Sequence, residues 1–210
     1  MAAPVKVEEP TLDSLPPPPY TVDTLFELPE SNLRFEVLGG NLVVAPAATP
    51  AHSGIIDQLH RLFVRLLPAN LRFLYGAAVR LPNNDGPIPD LLITPVDDLI
   101  AYPRGLPAGL VHTVVEVVSP SNAFTDRKTK TDLYAEAGIP CYWRVEQKPW
   151  KEHFGPVPAI VVRLRDKAGE WEQITAAAGT ETELPVVVDA EGTIVTVKID
   201  PATLVGRRSA

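Results

Sequence analysis

Cysteine is almost missing from this chain. Cys141 stands alone, so no internal disulfide can form and no second thiol lies at metal-ligand spacing. Thiol chemistry is therefore not expected, and a reducing, cytoplasmic setting is. Long apolar runs are missing as well, and the N-terminus lacks a basic segment followed by an apolar one, so neither membrane insertion nor secretion is expected. Positive charge is scarce: 19 Lys and Arg face 26 Asp and Glu, for a net charge of −7. That balance argues against a non-specific nucleic-acid coat, which needs lysine and arginine to meet phosphates. Locally the balance reverses, since Arg61, Arg65, Arg72 and Arg80 outnumber Asp57 between Ser53 and Leu81, and a basic surface is expected there.

What is plentiful is proline, 23 residues in 210, within a chain whose 45% hydrophobic content is ordinary for a globular domain. Residues 1–19 end in "LPPPP", lack periodicity and carry Glu8, Glu9 and Asp13, so they are expected to form a disordered tail. Residues 20–210 are expected to form a single domain. Within it, "YTVDTLFELPE" predicts a short helix after Thr21, and "LRFEVLGGNLVVAP" predicts two strands around a Gly39-Gly40-Asn41 turn. Ile55, Ile56, Leu59, Leu62, Phe63, Leu66 and Leu67 recur at helical spacing, predicting a helix over 51–67. Strand-like runs follow at "LRFLYGAAVRL", "IPDLLITP" and "VHTVVEVVS", then a helix over about 123–137 closed by Gly138, then the strand "PCYWRVE". The remainder predicts an antiparallel hairpin around Lys167-Ala168-Gly169 and a last strand, "EGTIVTVKID".

The run of valines holding Glu116 is the feature that demands an explanation. A β-branched run reads as a strand covered on both faces, and an ionised carboxylate there needs a cation, a set of donors or a metal. Asp90 lies on a second apolar run, and Lys130 lies on the helix that follows Glu116. Two carboxylates suit magnesium, which prefers oxygen ligands and keeps several waters, with the backbone carbonyl of Val117 as a further ligand. A nearby lysine would hold the attacking water and steady charge on a phosphate. Each residue also has a plainer reading. Asp126, Lys130 and Tyr134 fall at successive i,i+4 positions, so an Asp126–Lys130 pair on a solvated helix face is one alternative, with Tyr134 in the core. A structural pair with an arginine is the alternative for Glu116, and a turn for Asp90.

The order "YTVDTLFELPESNLRFEVLGGNLVV", "PDLL", "VVEVVSPS" and "DRKTKTDLYAEAGIPCYWRV", with a His52-led helix between the first two, resembles the Uma-two family of restriction endonucleases in the PD-(D/E)XK superfamily. The resemblance implies an α/β, restriction-endonuclease-like fold: a mixed β-sheet flanked by helices, here with additional antiparallel strands at the C-terminus. It also implies a magnesium-dependent endodeoxyribonuclease, with Mn²⁺ as a substitute ion. Asp90, Glu116 and the Val117 carbonyl would bind the metal, and Asp90, Glu116, Lys130 and Glu36 would form the catalytic set. The superfamily's usual lysine position, two residues after the second acid, is Val118 here, which shifts that role to Lys130 with Lys128 as competitor. Ser119 and His52 match recurrent positions and are expected to cap a helix or tie down backbone. Tyr134 and Trp143 are expected to pack the second helix on the sheet. The expected partner is nucleic acid, DNA first, and the expected assembly a homodimer. A non-catalytic nucleic-acid-binding or assembly module on the same fold is the rival reading, with Glu116 neutralised by a lysine or arginine.

Overall fold

Hydrophobic strands supply the frame. A computed structural model describes residues 15, 17–29, 33–45, 47–119, 123–166 and 168–205. The tail expected over 1–19 lies mostly outside the described residues, as does Lys167 of the expected hairpin turn. In chain order the strands are β1 (Arg34–Leu38), β2 (Asn41–Ala45), β3 (Arg72–Leu74), β4 (Val79–Arg80), β5 (Leu91–Thr94) and β6 (Leu106–Pro107). Then come β7 (Thr113–Val118), β8 (Cys141–Glu146), β9 (Ala159–Arg165), β10 (Trp171–Ala177), β11 (Thr182–Val187) and β12 (Ile194–Ile199). The helices are α1 (Pro50–Leu66) and α2 (Lys130–Glu136).

The main sheet is six-stranded, in the order β10-β9-β8-β7-β5-β3. Only β7 and β8 run parallel within it; the other neighbours are antiparallel. β7 is buried along its whole length, as a β-branched run predicts. One face packs against α1 and the β11–β12 hairpin through Ile55, Leu59, Phe63, Val115, Trp143 and Leu184. The other packs against α2 through Val114, Tyr134, Ile139 and Tyr142. Side chains alternate along a strand, so Glu116 shares the α2 face with Val114. That face is where its partner must come from.

Several expectations are corrected. The short helix expected after Thr21 is present and is not among them: it is a 3-10 helix, Val22–Phe26, capped at Thr21, as Pro29 leaves too little chain for a longer one. "LRFLYGAAVRL" is two strands, since Gly76 at φ +57 breaks the run; β4 leaves the main sheet and pairs in parallel with β6. A strand not foreseen, β11, pairs with β12 despite Pro185. Proline is tolerated on an edge, and only one neighbour flanks β11. The second helix opens as a π-helical turn, Thr125–Thr129, before α2. The Thr131 hydroxyl donates to the carbonyls of Asp126 and Arg127, both at 3.2 Å, which ties the widened turn together.

Candidate active site

The strands and α2 meet in a cleft of about 510 Å³ lined by Arg34, Glu36, His52, Asp90, Glu116 and Lys130 among others. Lys130 is its centre. Its side chain is 4% exposed, and Nζ lies 2.9 Å from Glu116 Oε1, 3.0 Å from Glu36 and 3.7 Å from Asp126 Oδ1. The solvated-face reading of Lys130 is thereby overturned. The i,i+4 stripe is present, but it faces the sheet, because the widened turn and the apolar Tyr134–Tyr142 contact roll it inward. The partner of Glu116 is a lysine and not an arginine. Lys128, the competitor, is exposed and pairs with Asp132.

Tyr134 also reaches Glu116, donating its hydroxyl to Oε1 at 2.9 Å. Both bonds therefore fall on one oxygen, and among the described residues Oε2 receives none. Burial pushes the Glu116 pKa well up; Lys130 opposes this, and Asp90, Asp126 and Glu36 add to it. Burial likewise pushes Asp126 up to about 6, against Lys130. For Lys130, burial pulls the pKa down, but the pull of Glu116, Glu36 and Asp126 together is greater and leaves it raised. The ammonium stays charged.

Asp90 arrives just before β5. Its Oδ2 accepts the Val117 backbone N–H at 2.8 Å and lies 3.0 Å from His52 Nε2. The Asp90 hydrogen bond raises the His52 pKa, against burial, with the Asp90 charge and the Val117 backbone adding to the rise. The cap at the start of α1 is Thr49, whose hydroxyl accepts the His52 backbone N–H, so of the two roles expected for His52, cap or backbone tie, the cap falls to Thr49. The His52 ring serves Asp90 instead. The spacing from Ile55, Leu59 and Phe63 was the available signal, because it puts His52 on the buried face of α1. Glu36 comes from β1, where its Oε1 accepts the Ile88 N–H at 3.1 Å beside its contact with Lys130. Ser119 lines the cleft at the end of β7.

Trp143 is corrected too. It packs on the α1 face, edge to face with Phe63, and donates to the Pro185 carbonyl at 2.8 Å, whereas Tyr134 packs on the α2 face as expected. The basic surface expected over 53–81 is largely paired off: Arg61 meets Asp57, Arg72 meets Asp97, and Arg80 meets Asp23. Sequence reasoning also passed over Glu146, Arg127 and the site-facing role of Asp126. Glu146 offered the same signal as Glu116, an acid ending a fully buried strand.

The donor set fits a hard divalent cation. Three carboxyl groups, from Glu36, Glu116 and Asp126, lie around one buried lysine, and a fourth, from Asp90, lies against the His52 ring in the same cleft. Acidic side chains thus outnumber the buried lysine. Among the described residues no three His, Cys, Asp or Glu side chains form a ready-made metal shell.

A mixed sheet whose central strand carries an acid to a cleft shared with a second acid and a helix-borne lysine defines a restriction-endonuclease-like α/β protein. The family model described as "Putative restriction endonuclease", Uma2, matches residues 22–194, and the chain belongs to that family. Among solved structures, it is similar to a protein from Anabaena variabilis described as "a putative nuclease belonging to DUF820". The TM-score is 0.62 at 15% identity, over 85% of this chain and 96% of that one, a likeness of fold. No curated protein matches the chain.

Proposed function

We propose that the chain is a metal-dependent endonuclease that hydrolyses phosphodiester bonds in DNA, with Mg²⁺ as its ion and Mn²⁺ able to replace it. The observation that carries this reading is the excess of carboxylates around Lys130 in one cleft. Asp90 and Glu116 would hold the ion, with the carbonyl of Val117 beside them. The N–H and C=O of one strand residue point to the same edge, and the Val117 N–H reaches Asp90. When bound, the ion acidifies water and offsets charge on the phosphate.

The protein's own part is positional. Val117 N–H and His52 hold Asp90 Oδ2, and Oδ1 lies outside these contacts. Tyr134 and Lys130 hold Glu116 Oε1, and Oε2 lies outside them. Lys130, anchored by Glu116 and Glu36, keeps a donor for the attacking water and for charge building on the phosphate. Cutting both strands of a duplex calls for two such sites, so the active form in this reading is a homodimer. Cys141, buried and free, is compatible with a cytoplasmic setting, and no described helix is long and apolar enough to cross a membrane.

One observation favours the rival reading of a binding module: Lys130 bonds Glu116 directly and partly neutralises it without any ion. Calorimetric titration of Mg²⁺ and Mn²⁺ into the wild type and Glu116→Gln, paired with cleavage of plasmid, single-stranded DNA and RNA, separates the two. Metal uptake and cleavage that both vanish in the variant support the nuclease. Nucleic-acid binding without uptake or cleavage supports the module.

A further inference from the structure

We propose that Arg127 is a substrate-binding residue of the cleft, contacting a backbone phosphate next to the one that is cut, with Glu146 and the Trp150 ring holding it in place. This rests on the nuclease reading. The Glu146 carboxylate, 0% exposed at the end of β8, accepts Arg127 Nε at 2.9 Å and Nη2 at 2.7 Å. Arg144 Nε lies 2.8 Å from the same carboxylate. Two guanidiniums thus face one buried acid, which needs only one to balance it. Both also lie over the Trp150 ring, at 5.8 and 5.9 Å, and Trp150 stacks on His153 at 4.5 Å. This layer fixes the pair rigidly, since planar guanidiniums stack well on aromatic faces.

The surplus charge has a direction. Arg144 is 10% exposed and does not line the cleft, while Arg127 is 29% exposed and does. Its bonds to Glu146 use Nε and Nη2, so the Nη1 group remains outside that pair. Glu152 and Asp126 add negative potential around Arg127, and Lys148 of the neighbouring loop lines the same cleft. Arg34 lines it from β1. A phosphodiester strand crossing the carboxylates would therefore meet cations on more than one element. Such contacts read charge and not base identity, so Arg127 contributes affinity without sequence preference.

The test is binding of a labelled mixed-sequence oligodeoxynucleotide, single-stranded and duplex, across a salt series, with Ca²⁺ in place of Mg²⁺. Arg127→Gln takes two hydrogen bonds from Glu146, whose charge Arg144 still balances, so a second variant, Arg127→Gln with Glu146→Gln, is measured beside it and removes that loss of acceptor pairing from the comparison. Lys198→Gln, on the remote strand β12, serves as control. The double variant, folded by its melting curve, is expected to bind about tenfold more weakly at low salt, with a salt dependence flatter by about one released counterion. The control should keep the wild-type slope. Wild-type affinity and slope in the double variant would make Arg127 a counter-ion of Glu146 alone and overturn the proposal while leaving the nuclease reading intact. A wild type that binds neither probe would overturn both.

Discussion

Lys130 is the residue on which the cleft depends, because it is the buried cation among three carboxyl groups. Removing one partner of a buried pair leaves the other charge uncompensated, at a cost of roughly 3–5 kcal/mol. Lys130→Met is therefore expected to lower unfolding stability by about that amount in urea titrations. The double variant Lys130→Met with Glu116→Gln should recover a large part of the loss, as the glutamine can still accept from Tyr134. A second residue gives a pH signature away from the cleft. His112 is buried, its Nε2 has no partner among the described residues, and burial lowers its pKa against the pull of Asp189 and Glu191. Above its ordinary value of 6.5 both folded and unfolded forms are neutral and nothing is lost. As pH falls through that value the unfolded chain takes the proton first, so stability falls towards the lower folded pKa. Asp126 and Glu116, with raised values, act in the opposite sense. The wild type should thus lose stability relative to His112→Gln as pH falls through 6.5, read as the difference between their melting curves.

At the scale of elements, the β1–β2 hairpin delivers Glu36, and its placement depends on one acid in another segment. Asp85 is buried, and its carboxylate accepts the N–H groups of Gly39 and Gly40, at 2.8 and 2.9 Å, and the side chain of Asn83. Gly39 and Gly40 both sit at positive φ, so the turn itself requires glycine there. The Val37–Gly86 bridge then ties β1 to the segment leading to Asp90. Asp85→Ala is expected to cost roughly 1–3 kcal/mol and to weaken metal uptake together with activity, because Glu36 loses its fixed register. Both can be read in one calorimetric and melting experiment. The turn Thr125–Thr129 has the matching role on the other side of the cleft. It carries Asp126 and Lys130 inward while Arg127 reaches Glu146.

Over the whole molecule, five acids of an acidic chain, Glu36, Asp90, Glu116, Asp126 and Glu146, line one cleft, and cation binding there should feed back on folding. A ligand that binds only the folded state stabilises it by about 2.7 kcal/mol at a hundredfold excess over its dissociation constant. Mg²⁺ is expected to raise the melting temperature of the wild type and to leave Glu116→Gln unchanged. A shift of equal size in both would place the ion elsewhere on the acidic surface.

Much of this was legible along the chain. The valines around Glu116 announced a doubly buried strand, the 3.6-residue period announced α1, and a charge within such a strand had to find a partner. The motif order pointed to the family that matches residues 22–194. These features are local, set by period, composition and the cost of burying charge. The identity of each partner was not local. Lys130 meets Glu36 across 94 positions of sequence, His52 reaches Asp90 from another layer, and β11 was hidden by its proline. The choice between a solvated ion pair and a buried one depended on how the widened turn rolls α2 against the sheet. Dense packing of two faces made that choice, and no spacing in the chain encodes it.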